Sequence, residues 1–118
     1  MNTYTMNMAM TTEDRYAIAK IMNNAKTALW FIKPLITDES VILVYGIAEQ
    51  MLADISNYLT SGGEISGYGI VILNSSINAA KGYLNRISDY LFEIGDKHAV
   101  GFGLEIGAVH TVPMYRGC

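Results

Sequence analysis

Apolar residues recur at spacings of three and four through residues 67–94, and this pattern constrains the fold more than any other feature of the chain. Such spacing places the side chains on one face of an α-helix, and that face must be buried against another element. Gly95 follows the pattern, in a position where glycine commonly ends a helix. The stripe comprises Ile70, Leu73, Ile77, Ala80, Leu84, Ile87, Leu91 and Ile94. This segment therefore predicts one long amphipathic helix.

Two earlier segments carry the same spacing, at residues 12–33 and 38–60. Thr11 and Asp14 have the spacing of a capping box at the start of the first helix, and Pro34 ends or kinks that helix. Thr37 or Asp38 caps the second helix, which stops at the glycine pair beginning with Gly62. We therefore predict a mainly α fold: a three-helix antiparallel bundle with helices at about 12–33, 38–60 and 67–94.

A second interpretation of two apolar runs leaves an alternative fold open. The segments at 41–45 and 68–73 are short and rich in isoleucine and valine, as buried strands are. With a third strand at 99–105, helices and strands would alternate along the chain. That order is typical of an α/β fold.

The C-terminal segment alternates apolar residues with glycines between residues 100 and 107. A period of two predicts a strand that buries Phe102, Leu104 and Ile106 on one face. The N-terminal arm alternates in the same way, so we expect the arm and the tail to pair as a small β element, within one chain or between two. The chain then reads as a single domain, 1–118, with an extended arm at 1–10, a helical core at 11–95 and an extended tail at 96–118.

The composition favours self-association and argues against nucleic-acid binding. Only 16% of the residues are charged while 51% are hydrophobic, and the net charge is −3. A surface so poor in charge leaves apolar area for a partner to cover, which predicts a homo-oligomer. The eight Lys and Arg residues form no basic cluster of the kind that binds DNA or RNA. No signal peptide and no apolar run of membrane-spanning length is found, so we expect a cytoplasmic protein with no membrane partner.

The sequence carries no motif that identifies an enzyme. The glycine-rich runs have the wrong spacing for a dinucleotide fingerprint or a P-loop. His98 and His110 lack a second cluster of ligands, and the one cysteine, Cys118, is the last residue. We therefore expect no catalytic residue, no cofactor and no metal, and we favour a protein that is not an enzyme.

The candidate contact residues lie on the third helix and on the tail. Tyr83 and Tyr90 are seven residues apart and share a helix face near Arg86, a combination common at binding surfaces. The tail adds Phe102, Glu105 and His110. These residues fit a non-enzymatic, self-associating interaction protein that binds another protein, as an inhibitor or accessory subunit does. The alternative is an oligomer that binds or sequesters a small ligand such as a nucleotide between its subunits.

Overall fold

Four α-helices account for most of the chain in the computed structural model, which describes residues 1–115. The helices are α1 (Thr12–Ile32), α2 (Glu39–Thr60), α3 (Tyr68–Glu93) and α4 (Ala99–Gly107), and a short 3-10 helix at Lys33–Leu35 links α1 to α2. The prediction of a mainly helical chain is confirmed. The predicted number of helices is wrong, because the bundle has a fourth. Cys118 and the last part of the predicted tail lie outside the described residues.

The α/β alternative is wrong for both internal segments. Residues 41–45 lie in the first turns of α2, and residues 68–73 begin α3. Val41, Tyr45 and Ala48 are all buried on one face of α2, so the apolar run belongs to a continuous helical stripe. A helix also completes its own backbone hydrogen bonds, whereas an isolated strand there would need a partner.

The predicted strand at 99–105 is also wrong, since this part of the tail forms α4. Phe102 and Ile106 are four residues apart, so they share one face of a helix as readily as one face of a strand. Together with Ala99 they are buried. Leu104, which a strand would bury beside them, is instead 74% exposed on the opposite side of α4.

The first three helices run antiparallel, and α4 packs against α3 and α1. Contacts at both ends of the bundle show this arrangement: Arg15 near the start of α1 reaches the end of α2, and Thr37 before α2 hydrogen-bonds to Tyr90 near the end of α3. The apolar faces meet in a single core. Its largest fully buried side chains are Tyr4, Ile18, Met22, Leu29, Ile32, Leu52, Leu59, Ile65, Ile70, Leu73, Ile77 and Leu84.

Arg15 ties the start of α1 to the loop that follows α2. Its guanidinium donates from Nε to the Leu59 carbonyl at 2.7 Å, from Nη1 to Gly63 at 2.6 Å and from Nη2 to Ser61 at 2.5 Å. The last carbonyls of a helix lack partners within the helix and carry partial negative charge. The planar cation therefore caps α2 and holds the loop against α1.

The helix ends use the caps that the sequence predicts. The Thr11 hydroxyl accepts a hydrogen bond from the Asp14 amide at 3.1 Å, and the Asp38 carboxylate accepts from the first turn of α2. Gly95, with φ of 67°, follows α3. There the Gly95 amide donates to Phe92 and the Asp96 amide to Leu91, which is the Schellman arrangement.

The N-terminal arm and the tail meet beside α3, but through a single bridge rather than paired strands. Tyr4 and Met114 form a parallel bridge, with the Tyr4 amide 2.9 Å from the Pro113 carbonyl. A second isolated bridge joins Ala9 to Ser66. No strand longer than such a bridge occurs in residues 1–115.

Asn74 of α3 holds the tail by acting as a substitute for a neighbouring strand. Its side-chain amide donates to the Val112 carbonyl at 2.8 Å, and its carbonyl oxygen accepts from the Val112 amide at 2.7 Å. Val112 is buried, so both of its backbone groups need a partner within the protein. One side chain thus satisfies both groups.

We expect Asn74→Asp to destabilise the protein by about 1–3 kcal/mol, because a carboxylate cannot donate to the Val112 carbonyl and leaves it unsatisfied. Urea unfolding at pH 7 measures the change. Asn78→Asp is the matched control, one turn further along α3 and exposed. It should stay within about 0.5 kcal/mol of the wild type. Equal effects of the two substitutions would contradict the role of Asn74.

Candidate interaction surface

One end of the bundle brings together the end of α1, the start of α2, the end of α3 and the start of α4. The short connection through Lys33–Leu35 places the first two side by side. The Thr37 amide donates to the Tyr90 hydroxyl at 3.3 Å, which brings in α3. The rings of Phe31 and His98 meet edge to face at 5.5 Å, which brings in the turn before α4.

This end carries several large apolar side chains that the fold leaves uncovered. We call it the apolar end, and Trp30 at 71% and Leu43 at 70% are its most exposed members on α1 and α2. Single exposed apolar residues are ordinary, but several at one end of a small domain indicate a surface that binds a partner. Its exposed members are Trp30, Phe31, Ile42, Leu43, Phe92 and Ile94.

None of these residues was predicted as a contact residue, although the sequence contains a pattern that indicates their exposure. Leu29 and Ile32 continue the buried stripe of α1, so Trp30 and Phe31 between them must point elsewhere. Leu43 falls outside the buried stripe of α2 in the same way. Apolar residues in excess of the buried stripe are therefore the sequence signal for an exposed apolar surface.

A groove of about 680 Å³ lies between α1 and α4, next to the apolar end. One face of α1 forms one wall of the groove and one face of α4 forms the other. Each wall has small residues near its centre. The lining residues are Asn24, Thr27, Ala28, Phe31, Ile32, Lys97, His98, Gly101, Phe102 and Glu105. The groove therefore combines apolar side chains with polar and charged ones.

Charged groups mark both ends of the α4 wall. Lys97 lies just before α4, and Glu105 lies two turns further on; both side chains are exposed. Asp96 accepts hydrogen bonds from the His98 amide at 2.8 Å and from its ring at 2.9 Å. The His98 amide is the main reason that the pKa of Asp96 lies below its ordinary value. Asp96 and His98 thus satisfy each other, which leaves Lys97 and Glu105 to face whatever enters the groove.

The three predicted contact residues of α3 do not form one surface. Tyr90 is buried, and hydrogen bonds from Thr37, first from its side chain and then from its backbone, lower the pKa of the Tyr90 phenol. Tyr83 is half-buried and packs against the core. Arg86 is exposed, 3.9 Å from the Glu93 carboxylate.

The three predicted contact residues of the tail also separate. Phe102 is buried in the core with one edge in the α1–α4 groove, and Glu105 lines the same groove. His110 is exposed beyond α4, and its Nδ1 lies 3.0 Å from the Thr111 carbonyl oxygen. The structure therefore brings Phe102 and Glu105 together and places His110 apart from them.

Tyr45 is buried near the apolar end and has no hydrogen-bond partner for its hydroxyl among the residues described. Burial, followed by the nearby charge of Glu49, raises the pKa of Tyr45 to about 12. The phenol is therefore neutral at pH 7. The part of the chain that the structure covers contains no group of three or more His, Cys, Asp or Glu placed to hold a metal ion.

An all-α protein with a groove and an uncovered apolar end is the class that these observations define. Comparison of the chain with protein-family models, curated proteins and solved structures finds no match in any of the three. Within residues 1–115, none of the helices has the length and apolar character needed to cross a membrane.

Proposed function

We propose that this protein is a non-enzymatic, self-associating interaction protein that binds another protein through its apolar end. The observation that carries the proposal is the exposure of Trp30, Phe31 and Leu43 where α1 and α2 meet. Tryptophan and other aromatic side chains contribute most of the binding energy at many protein interfaces. An inhibitor or accessory subunit that acts by covering a partner's surface needs only such a face.

The charges around the apolar end favour a protein partner over a lipid surface. The charged residues at this end include both signs, and Arg86 lies 3.9 Å from the Glu93 carboxylate. The acids are Asp38, Glu39, Glu93 and Asp96, and the cations are Lys33, Arg86 and Lys97. Helices that bind anionic membranes carry an excess of Lys and Arg on their polar face. A rim without an excess of bases fits the polar rim of a protein interface better.

The experiment is affinity capture from a lysate of the source cells with the wild type and two double variants. Trp30→Lys/Leu43→Lys should lose the captured proteins, because two cations replace the centre of the contact surface. Tyr16→Lys/Tyr68→Lys is the matched control, since these exposed side chains lie away from the apolar end. It should capture what the wild type captures.

Circular dichroism of both variants tests whether the fold is retained, and we expect that it is, because all four positions are exposed. Capture that depends on Trp30 and Leu43 supports the proposal. Identical capture by the wild type and the Trp30→Lys/Leu43→Lys variant would overturn the assignment to the apolar end.

A second candidate function, small-ligand binding, is favoured by the volume of the α1–α4 groove. Sites that bind small ligands commonly have volumes of about 300–1,000 Å³ and combine apolar walls with a few polar groups. The volume of the α1–α4 groove lies within that range. Phe31 offers apolar surface there, and Lys97 and Glu105 offer charge. A thermal-shift screen with nucleotides tests this candidate, since a ligand at 100 times its Kd stabilises the folded state by about 2.7 kcal/mol.

A further inference from the structure

The side of α4 that faces away from the core is a second uncovered surface. Val100, Gly101, Leu104 and Ala108 are exposed there at spacings of one, three and four. The buried side of the same helix holds Phe102 and Ile106, so α4 is apolar on both sides. A helix of that kind is normally covered all round.

The charges of this surface are arranged symmetrically about its centre. Lys97 lies in the turn before α4, four residues before Gly101, and Glu105 lies one helical turn after Gly101. All three also line the α1–α4 groove. Neither Lys97 nor Glu105 is within salt-bridge distance of an opposite charge among residues 1–115.

Such a surface is complementary to itself. If two α4 helices cross antiparallel with the two-fold axis at Gly101, Lys97 of each copy faces Glu105 of the other, and both ion pairs form at once. Glycine at the crossing point lets the two backbones approach closely, because it has no side chain. A side chain added at Gly101 would meet no atom of its own chain within 4 Å, so the space above Gly101 is open. Val100 and Leu104 then supply the apolar contact on either side.

We infer that α4 is the self-association surface: two copies of this chain pair through antiparallel α4 helices, with Lys97–Glu105 ion pairs across the two-fold axis. The inference rests on the self-association included in the proposed function and assigns it a surface distinct from Trp30 and Leu43. The observations that select a second copy as the occupant are the matching charges and their symmetric spacing. A ligand or an unrelated helix has no need of that symmetry.

The test is a charge exchange followed by analytical ultracentrifugation. Lys97→Glu puts acids at both positions, and Glu105→Lys puts bases at both, so each variant alone repels its own copy. We expect the dimer dissociation constant to rise about tenfold or more for each variant by itself. An equimolar mixture should dimerise as the wild type does, since each variant supplies the charge that the other lacks.

Restored association in the mixture supports the inference, and it also shows that both variants are folded. Leu104→Asp should give a folded monomer, because Leu104 touches solvent rather than the core. A wild type that stays monomeric at about 100 μM, or singles that dimerise like the wild type, would overturn the inference. If a monomeric chain captures a partner through Trp30, the inference about α4 is overturned and the proposed function is not. A dimer that captures no other protein would instead overturn the assignment of partner binding to the apolar end.

Discussion

Phe102→Ala should destabilise the protein by about 3–5 kcal/mol, which is a large part of the 5–15 kcal/mol that keeps a typical domain folded. Phe102 is only 3% exposed, and its ring belongs to the core formed with α1 and α3. Its removal costs the burial of the ring and leaves a cavity that the surrounding helices fill only in part. Urea unfolding followed by circular dichroism measures the loss.

Phe92→Ala is the control for this prediction, because it makes the same chemical change on a ring that is 55% exposed. Phe92 lies at the same end of the bundle, at the end of α3. Its truncation should shift the free energy of unfolding by no more than about 0.5 kcal/mol. If both variants lose the same stability, α4 is not packed on the core as described.

Tyr4→Phe should cost about 1.5–3 kcal/mol, because the substitution removes one hydroxyl from a buried polar cluster. The Tyr4 hydroxyl donates to the Asp14 carboxylate and accepts from the Thr11 amide at 3.0 Å. The Asn2 amide also donates to Asp14, at 3.2 Å. Without the hydroxyl, the Thr11 amide loses its partner, and the buried carboxylate keeps only part of its hydrogen bonding.

Thermal unfolding of Tyr4→Phe is best compared with that of Tyr16→Phe. Tyr16 lies on α1 and is 59% exposed, so water replaces whatever its hydroxyl contacts. We expect a fall in Tm for Tyr4→Phe and no measurable change for Tyr16→Phe. A Tyr4→Phe variant as stable as the wild type would mean that the cluster contributes nothing beyond the burial of the ring.

The first three helices were predictable because their apolar stripes are long. A stripe of eight residues in α3 has one consistent phase, and Gly95 marks its end with a conformation that suits glycine. The choice between strand and helix at 41–45 and 68–73 needed that phase, since a five-residue apolar run fits either element. The caps at Thr11 and Asp38 depend on neighbours within four residues, which a sequence shows directly.

The tail was not predictable from its alternation alone. Phe102, Leu104 and Ile106 occupy alternate positions, yet Ala99, Phe102, Ile106 and Val109 also follow helical spacing and are the residues that the fold buries. The two periods share Phe102 and Ile106, and a segment this short holds few further positions that distinguish them. The choice depends on whether a partner strand is within reach, and that is a property of the folded chain.

Contacts between distant residues explain the remaining differences. Tyr83 and Tyr90 do share a face of α3, as their spacing predicts, but Thr37 and α2 cover Tyr90. The groove at Glu105 exists because α4 folds back against α1, which no local pattern records. The hydrogen bonds of Asn74 join residues 38 positions apart. Local periodicity has no access to such pairs.

The contact between Tyr4 and Pro113 joins the two ends of the chain, and its sequence separation has a consequence for folding. Neighbouring helices pair through short connections, so α1, α2 and α3 can assemble as soon as each has formed. The Tyr4–Pro113 hydrogen bond instead closes a loop of more than a hundred residues, and it gains little until those helices are in place. The free-energy cost of closing a loop rises by only about 0.6 kcal/mol for each doubling of its length. The contact can therefore form once the helices are in place. We therefore expect the Tyr4–Pro113 contact to form after the helices in folding and to break before them in unfolding.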